Sequence, residues 1–260
     1  MFAVGFFKPH LPFAAPRRWF DKVDPDAIPV PAHDSGPSPE SPGWHASGEM
    51  MRNYGHGGRD PREDPAYAAE LRHAYAAATA YVDEQIGRVL DRLDALGLAQ
   101  STIVVIWSDH GFCLGEHGIW GKHALYEEAL RAPLLIRHPG MPRPGEINHA
   151  VVESVDIFPT LTELAGLPSP DGIDGHSLVP QLKDPGRPSA KPALGWMRRG
   201  KATARTPDWR WIRHRSAGET DRHELFDYRE DPDGIRHDPA SLDEVPEEIR
   251  HLFDGVPVFQ

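Results

Sequence analysis

The stretch Ser101–His123, STIVVIWSDHGFCLGEHGIWGKH, limits the fold of this chain more than any other. Ile103 to Trp107 form a short apolar run, rich in β-branched residues and free of Gly and Pro, which reads as a buried strand. It stops abruptly at Ser108-Asp109-His110-Gly111. A carboxylate and an imidazole thus stand together where a strand gives way to a loop. In α/β sheets ligands collect beyond the carboxyl ends of strands. Asp and His are also the oxygen and nitrogen donors a divalent cation takes. On its own, such a pair reads more readily as a turn closed by an Asx hydrogen bond. The residues that follow tip the balance: Glu116, His117, Trp120, Lys122 and His123, interleaved with Gly111, Gly115, Gly118 and Gly121. The glycines let the backbone fold tightly around a ligand, and Lys122 suits a point-charge contact to an anion.

Other segments place this loop in an α/β frame. Met1–Phe7, MFAVGFF, reads as a strand. A strand at the first residue is unusual, because termini are loose unless tied into a sheet, and it implies preceding chain. Lys8-Pro9-His10-Leu11-Pro12-Phe13 follows, with two prolines stiffening the turn that carries Lys8 and His10. Arg17–Val23 reads as a short helix. Residues 24–58 are rich in Pro, Gly, His and Ser and read as an extended excursion. It carries His45, Tyr54 and His56 and is a candidate pocket rim. Asp64 and Pro65 supply the N-cap and first position of the clearest helix, which Gly97 closes. Tyr75, Ala78, Val82, Ile86, Val89, Leu90, Leu93 and Leu96 recur along it at helical spacing.

After the loop the sequence predicts a short helix over 125–130, a strand over 133–137, a short strand at 151–152 and a helix from 156 to 166, with Asp156 as a cap rather than a ligand. From Ala193 the pattern changes to short strands over 194–197, 201–205, 209–214 and 224–227, then a last helix over 246–252. This predicts a small antiparallel sheet with a helix. The domain boundary is expected near 182, giving residues 1–182 and 183–260.

At 260 residues the chain can bury a sizeable core. A net charge of −11 argues against nucleic-acid binding, even with Arg198, Arg199, Lys201, Trp209 and Trp211 close together. An anionic substrate therefore requires a local positive site. The single cysteine, Cys113, permits no intrachain disulfide and reads as a buried, inert thiol. No apolar run is long enough to span a membrane, and no charged and apolar leader opens the chain, so compartment is not assigned.

SDHG, LGEHG and WGKH resemble the second metal-binding motif of the sulfatase family, within the alkaline phosphatase-like superfamily, and most of all its iduronate-2-sulfatase-like branch. The likeness extends to KPH-x-PF, to YVDEQIGRVLDRLDALGLAQSTIVVIWSDHG, to VDIFPTLTELAGL and DGHSL, and to ELFDYREDP. The resemblance implies an α/β fold: part of an alkaline phosphatase-like sandwich, with a central mixed sheet flanked by helices and a small C-terminal antiparallel sheet. It implies sulfate-ester hydrolysis on a small molecule or saccharide. It makes Asp109 and His110 ligands of a divalent cation, calcium, and His10 and Lys122 sulfate-contacting catalytic residues, with Lys8 a weaker substrate contact. His10 reads equally as a loop histidine bonded to backbone.

Two family parts are missing from the sequence. Sulfatases mature a Cys or Ser in C/S-x-P-x-R to a formylglycine nucleophile, and they place paired Asp residues on the first strand. Cys113 stands in Cys113-Leu114-Gly115-Glu116-His117, without the required Pro and Arg, where close relatives are expected to carry His. The chain thus matches the C-terminal portion of the family. It is expected to be inactive alone and to lack an N-terminal half, whose loss would bare a sheet edge and an apolar face. The alternatives are a phosphoryl or phosphonate monoester hydrolase of the same superfamily, which shares the metal logic, and a non-catalytic scaffold or binding module.

Overall fold

The computed structural model describes residues 1–33, 41, 48–197, 200–215, 220–234, 238–240 and 242–253. His45, Arg198 and Arg199 lie outside them. The chain divides into two compact units, one of Met1–Gly36, His45–Gln100 and Phe112–His123, the other of Pro37–Trp44, Ser101–Gly111 and Ala124–Gln260.

The first unit holds α1 (Arg17–Lys22), α2 (Glu49–Asn53), the long α3 (Pro65–Ala95) and a small hairpin of β2 (Cys113–Leu114) and β3 (Trp120–Gly121). As the sequence predicts, the Asp64 carboxylate accepts the Tyr67 N–H at 2.9 Å and Pro65 takes the first turn of α3. Such a cap stabilises a helix by about 0.5–2 kcal/mol. Gly97 follows the helix with φ +70°, a conformation a side chain would strain. The His73 ring Nε2 lies 3.1 and 3.0 Å from the carbonyls of Phe20 and Val23, tying the end of α1 to α3. The core of this unit gathers Leu11, Phe13, Met50, Ala68 and Trp120. Phe13 packs edge-on against Tyr75 and Phe112 at 5.2 and 5.4 Å. Each fully buried side chain of this size contributes about 1.5–3 kcal/mol.

Two sequence expectations fail in this unit. Met1–Phe7 forms no strand; Phe2 and Phe7 are exposed. A strand needs a neighbour to take its N–H and C=O groups, and no described strand pairs with this segment. The apolar stripe of α3 is buried at Ala78 but exposed at Val89 and Leu96, because periodicity sets which residues share a face and not what covers it.

The second unit pairs β1 (Val104–Trp107) with β4 (Leu134–Arg137) in antiparallel register, Val105 opposite Ile136. The reading of β1 as a buried strand is corrected: Trp107 is 48% exposed, as is Leu135 of β4 at 55%. Two strands leave one face and both edges open unless other elements cover them. The 151–152 segment is extended but unpaired among the described residues. Beyond β1 lie α4 (Glu127–Leu130), α5 (Ile157–Leu164) and α6 (Val179–Lys183). A five-stranded antiparallel meander then runs β5 (Ala193–Met197), β6 (Lys201–Arg205), β7 (Trp209–His214), β8 (Arg222–Asp227) and β9 (Asp238–Ala240). The helix α7 (Glu247–Arg250) and the residues on either side of it pack Val245, Ile249 and Phe253 against Ala202, Ala204 and Trp211 of the sheet.

Polar clusters fix this unit. Asp156 takes the N–H of Glu153 at 2.8 Å and of His176 at 2.8 Å, which closes a capping box in the 3-10 turn Ser154–Asp156. The sequence reading of it as the cap of the helix that follows is corrected, since its side chain makes no cap hydrogen bond to α5. Burial pushes the Glu127 carboxyl up, but Arg210 and Arg205 pull it below the usual carboxylate range. Arg210 is 3% exposed and donates to the Glu127 carboxylate, the Tyr228 and Thr203 hydroxyls and the Leu125 carbonyl.

Candidate functional site

The loop after β1 is built by backbone contacts. Ser108 N–H donates to the Pro133 carbonyl at 3.2 Å and Gly111 N–H to that of Ala129 at 2.9 Å. A Cβ on Gly111 would sit 2.0 Å from the Glu128 carbonyl oxygen, so only glycine fits there. This turn presents Asp109 and His110. Asp109 is 74% exposed, and its Oδ2 lies 3.6 Å from His110 Nε2. His110 Nδ1 is 2.7 Å from the Gly111 carbonyl. A carbonyl only accepts, so Nδ1 carries the proton and Nε2 keeps its lone pair when the ring is neutral. Metal-bound histidines commonly donate their second ring N–H in this way. The pair therefore fits a cation as one oxygen and one nitrogen ligand. Among the described residues no third imidazole, thiol or carboxylate completes a cluster with them. Calcium takes about six to eight oxygen ligands.

A second constellation lies wholly in the first unit. Two X-Pro bonds of the Lys8–Phe13 turn, Lys8-Pro9 and Leu11-Pro12, are cis. The Lys8 ammonium donates to the Pro12 carbonyl at 2.5 Å, and burial pushes its pKa down. His10 Nδ1 lies 2.7 Å from the Leu11 carbonyl, and its Nε2 lies 2.9 Å from Lys122 Nζ. An ammonium only donates and a carbonyl only accepts, so these contacts suit the tautomer with its proton on Nδ1 and Nε2 accepting from Lys122. Residues 112 positions apart thus meet through the tertiary fold. Lys122 also lies 3.2 Å from Glu49 Oε1, at the start of α2. Glu49 Oε2 faces His123 Nδ1 at 3.6 Å. Lys122 and Glu49 are 16% and 13% exposed, so the charges meet away from bulk water.

The hairpin holds Lys122 in place. Arg72, on α3, donates to the Leu114 carbonyl at 2.9 Å and lies over the Trp120 ring at 5.2 Å. The Glu116 carboxylate accepts the Leu114 N–H. His117, at φ +54°, is buried in the turn. Gly115 has φ +121° and Arg72 crowds the space its Cβ would fill. Glu116, His117 and Trp120 therefore build the turn, and Lys122 projects from its end. Cys113 is buried in β2, as the sequence predicts. His56 ring Nδ1 faces the Arg59 carbonyl at 3.1 Å and Tyr54 packs into the core, both in structural roles. Glu49 carries no sequence signal: it follows an irregular Pro- and Gly-rich stretch and belongs to no motif.

This fold is that of the alkaline phosphatase-like hydrolases. A phosphonate monoester hydrolase from Silicibacter pomeroyi superposes with a TM-score of 0.73 at 26% identity, over 95% of this chain and 51% of that one. The chain belongs to the sulfatase family, whose model matches residues 1–167. The model of the N-sulphoglucosamine sulphohydrolase C-terminal region matches residues 115–251. A sulfatase of Formosa agariphila is 36% identical over 187 residues, covering 70% of this chain and 35% of that protein. Iduronate 2-sulfatase of Homo sapiens is 31% identical over 204 residues, covering 65% and 36%. The chain thus spans little more than a third of the length of these two relatives.

Proposed function

We propose that the chain forms part of a sulfuric ester hydrolase that acts on a sulfated saccharide. Lys122 and His10 contact the sulfate group, Lys8 borders it, and Asp109 and His110 are two ligands of a divalent cation, calcium. The observation that carries this reading is the 2.9 Å approach of Lys122 Nζ to His10 Nε2. A half-buried ammonium beside an imidazole nitrogen is a site for an anion whose bridging oxygen must gain a proton or lose its charge. In this reading Lys122 stabilises charge on the sulfate oxygens. His10 borders the leaving oxygen through the ring nitrogen that meets Lys122. Asp109 and His110 would hold the cation by carboxylate oxygen and Nε2. Bound there, it would supply the positive charge of a Lewis acid.

The formylglycine nucleophile does not fit this chain. Cys113 is buried and lacks the Pro and Arg of the maturation motif, so no nucleophilic step is assigned to these residues. The chain alone is inactive in this reading, and residues 1–182 belong to the catalytic α/β part with 183–260 as a small C-terminal subdomain. The saccharide assignment is supported by the iduronate and sulphoglucosamine matches. A phosphonate monoester substrate is the second reading, favoured by the structural likeness over 95% of the chain. The test is release of inorganic sulfate from sulfated monosaccharides. The pure chain should release none. Mixing it with a separately produced polypeptide that carries paired Asp residues and C/S-x-P-x-R should restore release, and Lys122→Met should remove it. Phosphonate cleavage without sulfate release would favour the second reading.

A further inference from the structure

Glu49 has a place in this site that no motif marks. Lys122 has three N–H donors. One meets His10 Nε2 at 2.9 Å, and the ammonium forms an ion pair with Glu49 Oε1 at 3.2 Å. Among the described residues the ammonium has no further acceptor. Without Glu49 the ammonium would be tethered at one point and could rotate on its flexible four-carbon stem. The carboxylate is 13% exposed, and its second oxygen, Oε2, is buried without a hydrogen-bond partner. A carboxylate buried that far costs free energy unless a cation meets it, and Lys122 is the cation it faces, with the His123 ring 3.6 Å from its second oxygen.

We propose that Glu49 is a positioning residue: it clamps the Lys122 ammonium between itself and His10, aims the remaining N–H at the substrate anion and holds His10 in its Nδ1–H form. The aim toward a substrate rests on the proposed function; the clamp itself does not. The clamp also leaves the site less positive than a lone lysine would, so an anion must match its geometry rather than only its charge.

The test uses the full chain without ligand. Amine acetylation followed by peptide mass spectrometry reads the rate at Lys122, with Lys22 and Lys183 as internal controls. Long-range proton–nitrogen NMR of labelled histidine reads the His10 tautomer. In the wild type Lys122 should label slowly and His10 should carry its proton on Nδ1. Glu49→Ala should speed Lys122 labelling about tenfold and give His10 a mixed tautomer, with the control lysines unchanged. Glu49→Gln keeps an oxygen for the ammonium and should restore most of both signals. If Glu49→Ala does not fold, Glu49→Asp, which withdraws the carboxylate by one methylene, should give the same changes in smaller measure. Unchanged labelling and tautomer in a folded Ala or Asp variant would overturn the clamp. Inorganic sulfate added to the wild type separates the two readings. Failure of sulfate to protect Lys122 from labelling counts against the sulfate site, while the ligand-free rates still report on Glu49.

Discussion

Asp109 and His110 differ from His10, Lys122 and Glu49 in how the chain brings them together. The first two are neighbours on one turn, and Asp109 is largely exposed. Any chain with this sequence places them side by side. The other three come from a proline-stiffened turn, a glycine-rich hairpin and a short helix, and they meet half-buried. Among the described residues the first pair gathers no third imidazole, thiol or carboxylate. The second group is already joined by a hydrogen bond and an ion pair through Lys122. Local sequence can therefore display a ligand pair, but only tertiary packing sets the distance between a cation and the groups that aim it.

That contrast can be broken or sharpened at several points. The largest expected effect lies outside both groups, in the support of the second unit. Glu127→Ala leaves Arg210 buried without its carboxylate and should cost about 3–5 kcal/mol of stability, read by denaturant unfolding. Gly111→Ala drives a Cβ into the Glu128 carbonyl. It should cost about 1–3 kcal/mol by forced backbone shift and weaken calcium binding by calorimetry, while leaving the Lys122 labelling rate unchanged. Arg72→Met removes the hydrogen bond to Leu114 and should cost about 1.5–3 kcal/mol. It should also loosen Lys122, unlike the Gly111 variant.

The smallest expected effect is on pH. Burial pushes the His223 imidazole below its usual range, and Trp211 Nε1–H donates to its Nδ1 at 3.1 Å. The folded state then takes up its proton less readily than the unfolded chain. Stability from His223 is present above the unfolded value of about 6.5 and is lost as pH falls through the folded one. Glu127 acts in the same direction lower on the scale, its folded carboxyl being depressed by Arg210 and Arg205. Thermal unfolding followed by tryptophan fluorescence should fall below about pH 6.5, and His223→Asn should flatten the first part of that fall.

Much of this architecture is legible in the sequence, for identifiable reasons. The capped α3, β1, β4 and the C-terminal strands follow from periodicity and turn residues. The Asp109–His110 turn follows from where a strand must stop. Met1–Phe7 misleads, because strand propensity says nothing about whether a neighbour is there to pair. β1 misleads in the same way, since apolar composition does not state how many strands flank it. His10 and Lys122 were recognisable through their motifs, but their 2.9 Å contact was not. Glu49 was invisible because its role depends on where α2 packs, not on its neighbours in sequence.

The central claim is that Lys122 and His10 together receive a sulfate group. The most direct measurement is titration of the full chain with inorganic sulfate, followed by NMR at labelled His10 and repeated with Lys122→Met. The account predicts a saturable change at His10 in the wild type that disappears in the variant. No saturable change, or an identical one in Lys122→Met, would contradict it.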